Sequence, residues 1–120
     1  MIETIADLPA NVLGFRARGT VTAEDYEATV IPAVEEFLRR GDKVRLLFHL
    51  GAGFESFEGG ALWDDAKLGL AHLRKWERIA LVTDVEKIRA AVKVFRFAMP
   101  GRIRVFHDAE LAAALRWIGE

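Results

Sequence analysis

The sequence predicts a single α/β domain spanning residues 1–120, ordered ββαβαβαβα around a mostly parallel sheet with helical crossovers. Three observations carry that expectation. Ile79-Ala80-Leu81-Val82 is a short apolar run of the kind found in a strand covered on both faces. The stretch before it places Leu62, Ala66, Gly69, Leu70 and Leu73 on one arc at helical spacing. The same alternation of strand and helix patterns then recurs along the chain, which implies parallel strands joined by right-handed crossovers.

The elements follow in order. Ile2 to Ile5 reads as a short strand, Leu8-Pro9-Ala10-Asn11 as a turn, and Val12 to Val21 as a longer strand close enough to form a hairpin with the first. Leu13, Phe15 and Ala17 share one face of it, and Arg16 and Arg18 share the other, the solvated one. Thr22-Ala23-Glu24-Asp25 resembles a capping box. Tyr26, Val30, Ala33, Val34 and Phe37 continue at helical spacing until Gly41. Pro32 interrupts this helix, because it lacks the N–H that the Ala28 carbonyl would accept, so a kink is expected there. In Lys43 to Leu50, Val44, Leu46 and Phe48 face one way and Arg45, Leu47 and His49 the other. Gly51 to Gly60 is glycine-rich and is expected to be a loop. A helix over 61–75 and a strand over 78–83 come next. Asp84 is placed at the cap of a helix reaching about Ala98, with Ile88, Ala91, Val92, Phe95 and Met99 inward, and Pro100-Gly101 ends it. Arg102 to Phe106 is the last strand, and Asp108 is expected to cap a final helix striped by Leu111, Leu115 and Ile118.

Composition narrows the function classes. The chain is 52% hydrophobic and 29% charged, which suits a packed core and argues against disorder. A net charge of −1 provides no global field toward nucleic acid. The absence of cysteine removes disulfides, thiolate metal sites and a cysteine nucleophile. No signal-peptide pattern or apolar run of membrane-spanning length occurs, so the expected location is cytoplasmic.

Several stretches together resemble one family. Asp25-Tyr26-Glu27 with Pro32, then Trp63-Asp64-Asp65, His72, and Trp76 through Asp84 are similar to the SpoIIAA-like family, as are Arg104-Val105-Phe106 and Ala114 through Ile118. These bacterial proteins have a fold like STAS domains and like part of CRAL-TRIO lipid-transfer proteins. The resemblance covers nearly the whole chain and implies the ββαβαβαβα fold, but little chemistry, since function resides in sites. Anti-sigma-factor antagonists of the wider STAS group are switched by phosphorylation of a serine after the third strand, at a helix N-terminus. This chain departs from that pattern. Its single serine, Ser56, lies within the glycine-rich stretch and is read as a plain polar residue.

Catalytic signals are weak. One serine without an elbow sequence is poor material for a nucleophile. His49, His72 and His107 lack metal-ligand spacing, so no metal or other cofactor is expected. Asp64 and Asp65 read as first-turn acids, and His72 stands about 10 Å from Asp65 on the same helix. The expected protein is therefore non-catalytic.

Two binding surfaces remain. Ligands of parallel sheets sit beyond the carboxyl ends of the strands. There, His49, Phe54, Phe57, Trp63, Thr83 and Asp84 are candidates for an apolar pocket, with Phe54 and Phe57 as a lid. The helix after Asp84 carries Arg89, Lys93 and Arg96 as a basic stripe and Ala90, Val94 and Phe97 as an outward apolar one. That pattern suits a membrane surface or a homodimer. The leading expectation is an apolar small molecule, a lipid or a membrane surface as partner. The alternative is a regulatory protein-interaction module switched at Ser56.

Overall fold

The computed structural model describes residues 1–41, 43–60, 67, 75–95 and 102–120, the side chain of Phe95 excepted. Five strands form one sheet in the order β1-β2-β3-β4-β5: β1 Ile2–Thr4, β2 Val12–Val21, β3 Val44–Phe57, β4 Trp76–Thr83 and β5 Arg102–Phe106. β1 is antiparallel to β2, with Ile2 opposite Ala17, and the remaining neighbours are parallel. The turn between β1 and β2 closes through a 2.9 Å bond from the Val12 N–H to the Pro9 carbonyl.

Strand order decides where the helices lie. Successive right-handed crossovers that all step the same way across a sheet keep their helices on one face. Accordingly α1 (residues 23–40) and α2 (Glu86–Phe95) share a face, where Tyr26, Val30 and Val34 with Ile88 and Val92 meet Phe15, Phe48 and Leu81. Phe48 holds Phe15 and Tyr26 at ring-centroid distances of 6.0 and 6.4 Å. The last helix, α3 (Leu111–Gly119), has no further strand to reach and covers the opposite face. There Ala114, Trp117 and Ile118 pack on Val12, Leu47, Ala80, Val82 and Phe106.

The N-terminal cap of α1 forms as its sequence predicts. Thr22 Oγ1 accepts from the Asp25 N–H at 3.2 Å, and the Asp25 carboxylate accepts from the Thr22 N–H at 2.9 Å. The interruption at Pro32 takes the form of a π-helical segment, Tyr26–Val30, in which the Ile31 N–H bonds back to the Tyr26 carbonyl. The wider turn ends just before the residue that has no N–H to give.

The largest departure concerns Gly51 to Gly60. Residues 51–57 are not a loop but the second half of β3. β2 continues to Val21, and its backbone groups need partners there. β3 supplies them by running on, with Gly19 opposite Phe54, Thr20 opposite Ser56 and Val21 opposite Phe57. The register slips on both sides of Gly19, which has a φ of 61° that a residue without Cβ adopts readily. Glycine richness here marks an irregular strand, not the absence of one. The expected helix over 61–75, Lys67 and Lys75 apart, lies outside the described residues, as do Arg96 to Gly101.

Candidate functional site

The carboxyl ends of β4 and β5, level with the middle of β3, gather polar groups. His49 faces the α3 side of the sheet beside Leu47, opposite Val82 in register, and its Nε2 lies 3.4 Å from Asp108 Oδ1. Thr83 is fully buried at the end of β4, where its Oγ1 accepts from the Val85 N–H at 3.1 Å. Asp84 Oδ1 accepts from the Asp108 N–H and meets His107 Nδ1, each at 3.0 Å. The Asp108 N–H and then His107 hold the Asp84 carboxyl below the ordinary carboxylate range.

These bonds correct two cap assignments. Asp84 ties down the turn after β5 rather than serving its own helix, whose neighbouring Val85 N–H goes to Thr83. Asp108 is not the cap of the final helix but the first residue of a 3₁₀ turn, Asp108–Glu110. Glu110 closes that turn by accepting from the His107 N–H at 2.8 Å. The exchange has a steric logic: two short loops leave adjacent parallel strands, and a carboxylate on one reaches the orphan donor on the other.

Of the expected pocket residues, the structure brings His49, Thr83 and Asp84 to one edge, although Thr83 faces the α1 and α2 side while His49 faces α3. Phe54 and Phe57 do not join them as a mobile lid. Phe54 is 9% exposed within the core beneath α1, and its ring centroid lies 5.0 Å from that of Phe57. Trp63 lies outside the described residues. Ser56 is exposed on β3, within a strand and opposite Thr20 of β2 rather than in a loop. A separate groove of about 370 Å³ opens at the other end of the sheet between Asn11, Phe37, Arg40 and Lys43. Among the described residues no group of three or more histidines and carboxylates could hold a metal ion.

The outward face of α2 is the second candidate. Val94 is 72% exposed and Ala90 beside it is exposed. Ala91, expected to face inward, is exposed as well, because it lies one turn from Lys87 and Val94 on the outer side. Lys87 completes this face at i, i+3, i+4 and i+7, and Lys93 borders it, both exposed. Lys87 is the residue that sequence reasoning passed over; the same helical count that placed Val94 outward would have found it. Arg89 does not belong to the outer stripe, because its guanidinium turns back to the Thr83 carbonyl at 2.9 Å. Arg96 and Phe97 lie outside the described residues. No helix among the described residues is long and apolar enough to cross a membrane.

Known proteins resemble this arrangement. A family model described as SpoIIAA-like matches residues 12–119. A crystal structure of an uncharacterised DUF3478-family protein with a SpoIIAA-like fold, from Shewanella loihica PV-4, superposes with a TM-score of 0.79 at 30% identity. The match covers 98% of this chain and 93% of that one. Comparison with curated proteins gives no match.

Proposed function

The chain belongs to the SpoIIAA-like family, and on that premise we propose that it is a non-catalytic binding domain that rests on an anionic membrane surface through the outer face of α2. The observation that carries this reading is Val94, 72% exposed beside Ala90 and Ala91 and bordered by Lys87 and Lys93. Burying the valine and alanines contributes about 2 kcal/mol. Each lysine near an anionic surface adds roughly 1 kcal/mol. The sum gives weak, reversible association that depends on charge. Apolar-ligand binding at the strand ends is less supported, because Phe54 is committed to the core.

Cosedimentation with phosphatidylserine-containing vesicles tests the reading, with phosphatidylcholine vesicles as the control. Wild-type protein pellets with the anionic vesicles and is released by about 0.5 M salt, where screening is short-ranged. Val94→Glu stays in the supernatant with an unchanged melting temperature. Equal pelleting of wild type and Val94→Glu would remove α2 from the contact. Light scattering on both proteins covers the second use of this face: a wild-type dimer that Val94→Glu makes monomeric would replace the membrane with a second copy.

A further inference from the structure

We propose that the outer edge of β5 is a docking strand, to which an extended segment of another protein adds as a sixth strand with acidic residues at alternate positions. This inference is independent of the α2 surface. β5 ends the sheet, and among the described residues its backbone pairs only with β4. Backbone N–H and C=O groups along its far side therefore point outward, as on any edge strand.

The side chains give that edge two different faces. Arg102 and Arg104 are exposed on the α3 side, and no carboxylate lies within ion-pair distance of either among the described residues. Arg104 is held in place: its guanidinium sits 4.8 Å from the Phe106 ring centroid and 5.3 Å from that of Trp117. Ile103 and Val105 are half-buried on the other side, where Val105 packs against the core beneath α2. An incoming strand would thus meet arginines on one face and aliphatic side chains on the other, at the two-residue repeat of a strand. A segment alternating acidic and aliphatic residues matches both.

The same charges select against a second copy. Antiparallel self-pairing of β5 about Arg104 would set that arginine against its own counterpart, which is repulsive. A nucleic acid would satisfy the arginines but not the outward backbone groups or the aliphatic side. The occupant that uses all three features is an acidic peptide strand.

The test is an NMR titration of the ¹⁵N-labelled full chain with a short blocked peptide alternating valine and glutamate. Two control peptides have lysine in place of glutamate, or a central proline. The glutamate peptide should shift the amides of Arg102 to Phe106 and bind at least about tenfold tighter than the lysine peptide. The proline peptide should lose binding, because it lacks a ladder donor. Arg102→Glu, an exposed substitution whose melting curve verifies its fold, leaves Arg104 as the one cation opposed by a new carboxylate and should abolish the preference for the glutamate peptide. The proposal is overturned if the glutamate peptide leaves Arg102 to Phe106 unshifted, or if the proline peptide binds as well. It is also overturned if polyuridylate shifts the same amides more strongly than the glutamate peptide.

Discussion

Arg78 on β4 grips Trp117 on α3 twice: its Nη1 donates to the Trp117 carbonyl at 2.7 Å, and its guanidinium lies 5.2 Å from the centre of the same residue's ring. Arg45, its register neighbour on β3, donates to the Ile118 carbonyl at 3.0 Å and pairs with Glu77. Two adjacent strands thus present cations to the carbonyl end of the last helix, where the macrodipole is negative and the final C=O groups lack helical partners. This pairing docks α3 on the sheet.

Arg78→Met should therefore destabilise the fold by about 1.5–3 kcal/mol, the range of a hydrogen bond to a charged group, since methionine keeps the aliphatic stem but neither the bond nor the charge. Arg78→Lys should fall between methionine and wild type, because an ammonium reaches a carbonyl without the planar stacking. Urea unfolding of the three proteins measures this. A methionine variant as stable as wild type would show that packing alone seats the helix.

Gly14 provides a second, steric test. A Cβ at this position would stand 2.5 Å from Leu8 Cδ1 and 3.3 Å from Ile5 Cβ. The segment after β1 crosses β2 here, and the Ile5 N–H bonds the Gly14 carbonyl at 2.8 Å. Leu8 can swing aside, but the Ile5 Cβ is fixed by its backbone. Gly14→Val should cost about 1–3 kcal/mol by overpacking. Gly41→Ala, at a glycine whose added Cβ would meet nothing within 4 Å, is the control and should change little.

The pH dependence follows from the α1 cap. The Thr22 N–H, accepted by the Asp25 carboxylate, is the main cause that holds this acid below its ordinary value near 3.8. As pH falls, the unfolded chain takes up this proton before the folded one does. The stabilisation is therefore fully present above the unfolded value, and it is lost as pH drops through the folded value. Glu77, held low by Arg45, acts in the same direction. Melting temperature should fall on acidification below about pH 4, where these carboxylates protonate. Asp25→Asn should start lower at neutral pH and give a flatter curve over that range. Parallel curves for the two proteins would remove Asp25 as a source of acid sensitivity.

The fold was legible where one local signal dominated. Leu81 reads as central because the run around it is apolar on both sides, and it is buried against α1 and α2. The Thr22 and Asp25 cap was legible for the same reason: all its atoms lie within four residues. Phe54 was misread because its partner, Gly19, is far away in sequence, and local glycine content says nothing about which edge a strand must satisfy. Asp84 and Asp108 were misread for a related reason. A carboxylate before a helix reads as that helix's cap, but the donor that Asp84 meets comes from a loop brought beside it by the pairing of β4 with β5. The arginine pair under α3 went unnoticed because register, not spacing, aligns Arg45 with Arg78.

His49 and Asp108 offer the sharpest test of the strand-end site. Their side chains are 13% and 26% exposed, and the 3.4 Å between Nε2 and Oδ1 is too long for a good hydrogen bond. His49 Nδ1 and Asp108 Oδ1 are both shut off from solvent with no hydrogen-bond partner among the described residues. A buried polar atom left unpaired costs about 1–3 kcal/mol, whereas replacing both members of a poor pair with apolar groups is nearly neutral. His49→Leu alone should therefore destabilise, because it strips the Asp108 carboxylate of its nearest neighbour. His49→Leu with Asp108→Ala should recover most of that loss, since Leu47 and Val82 already make this face of the sheet apolar. Urea unfolding of the wild type, both single variants and the double variant closes the cycle. A double variant close to wild type, and so a coupling equal in size to the sum of the two single losses, is the expected result. If the double variant instead loses the sum of the two single losses, the two residues are not coupled.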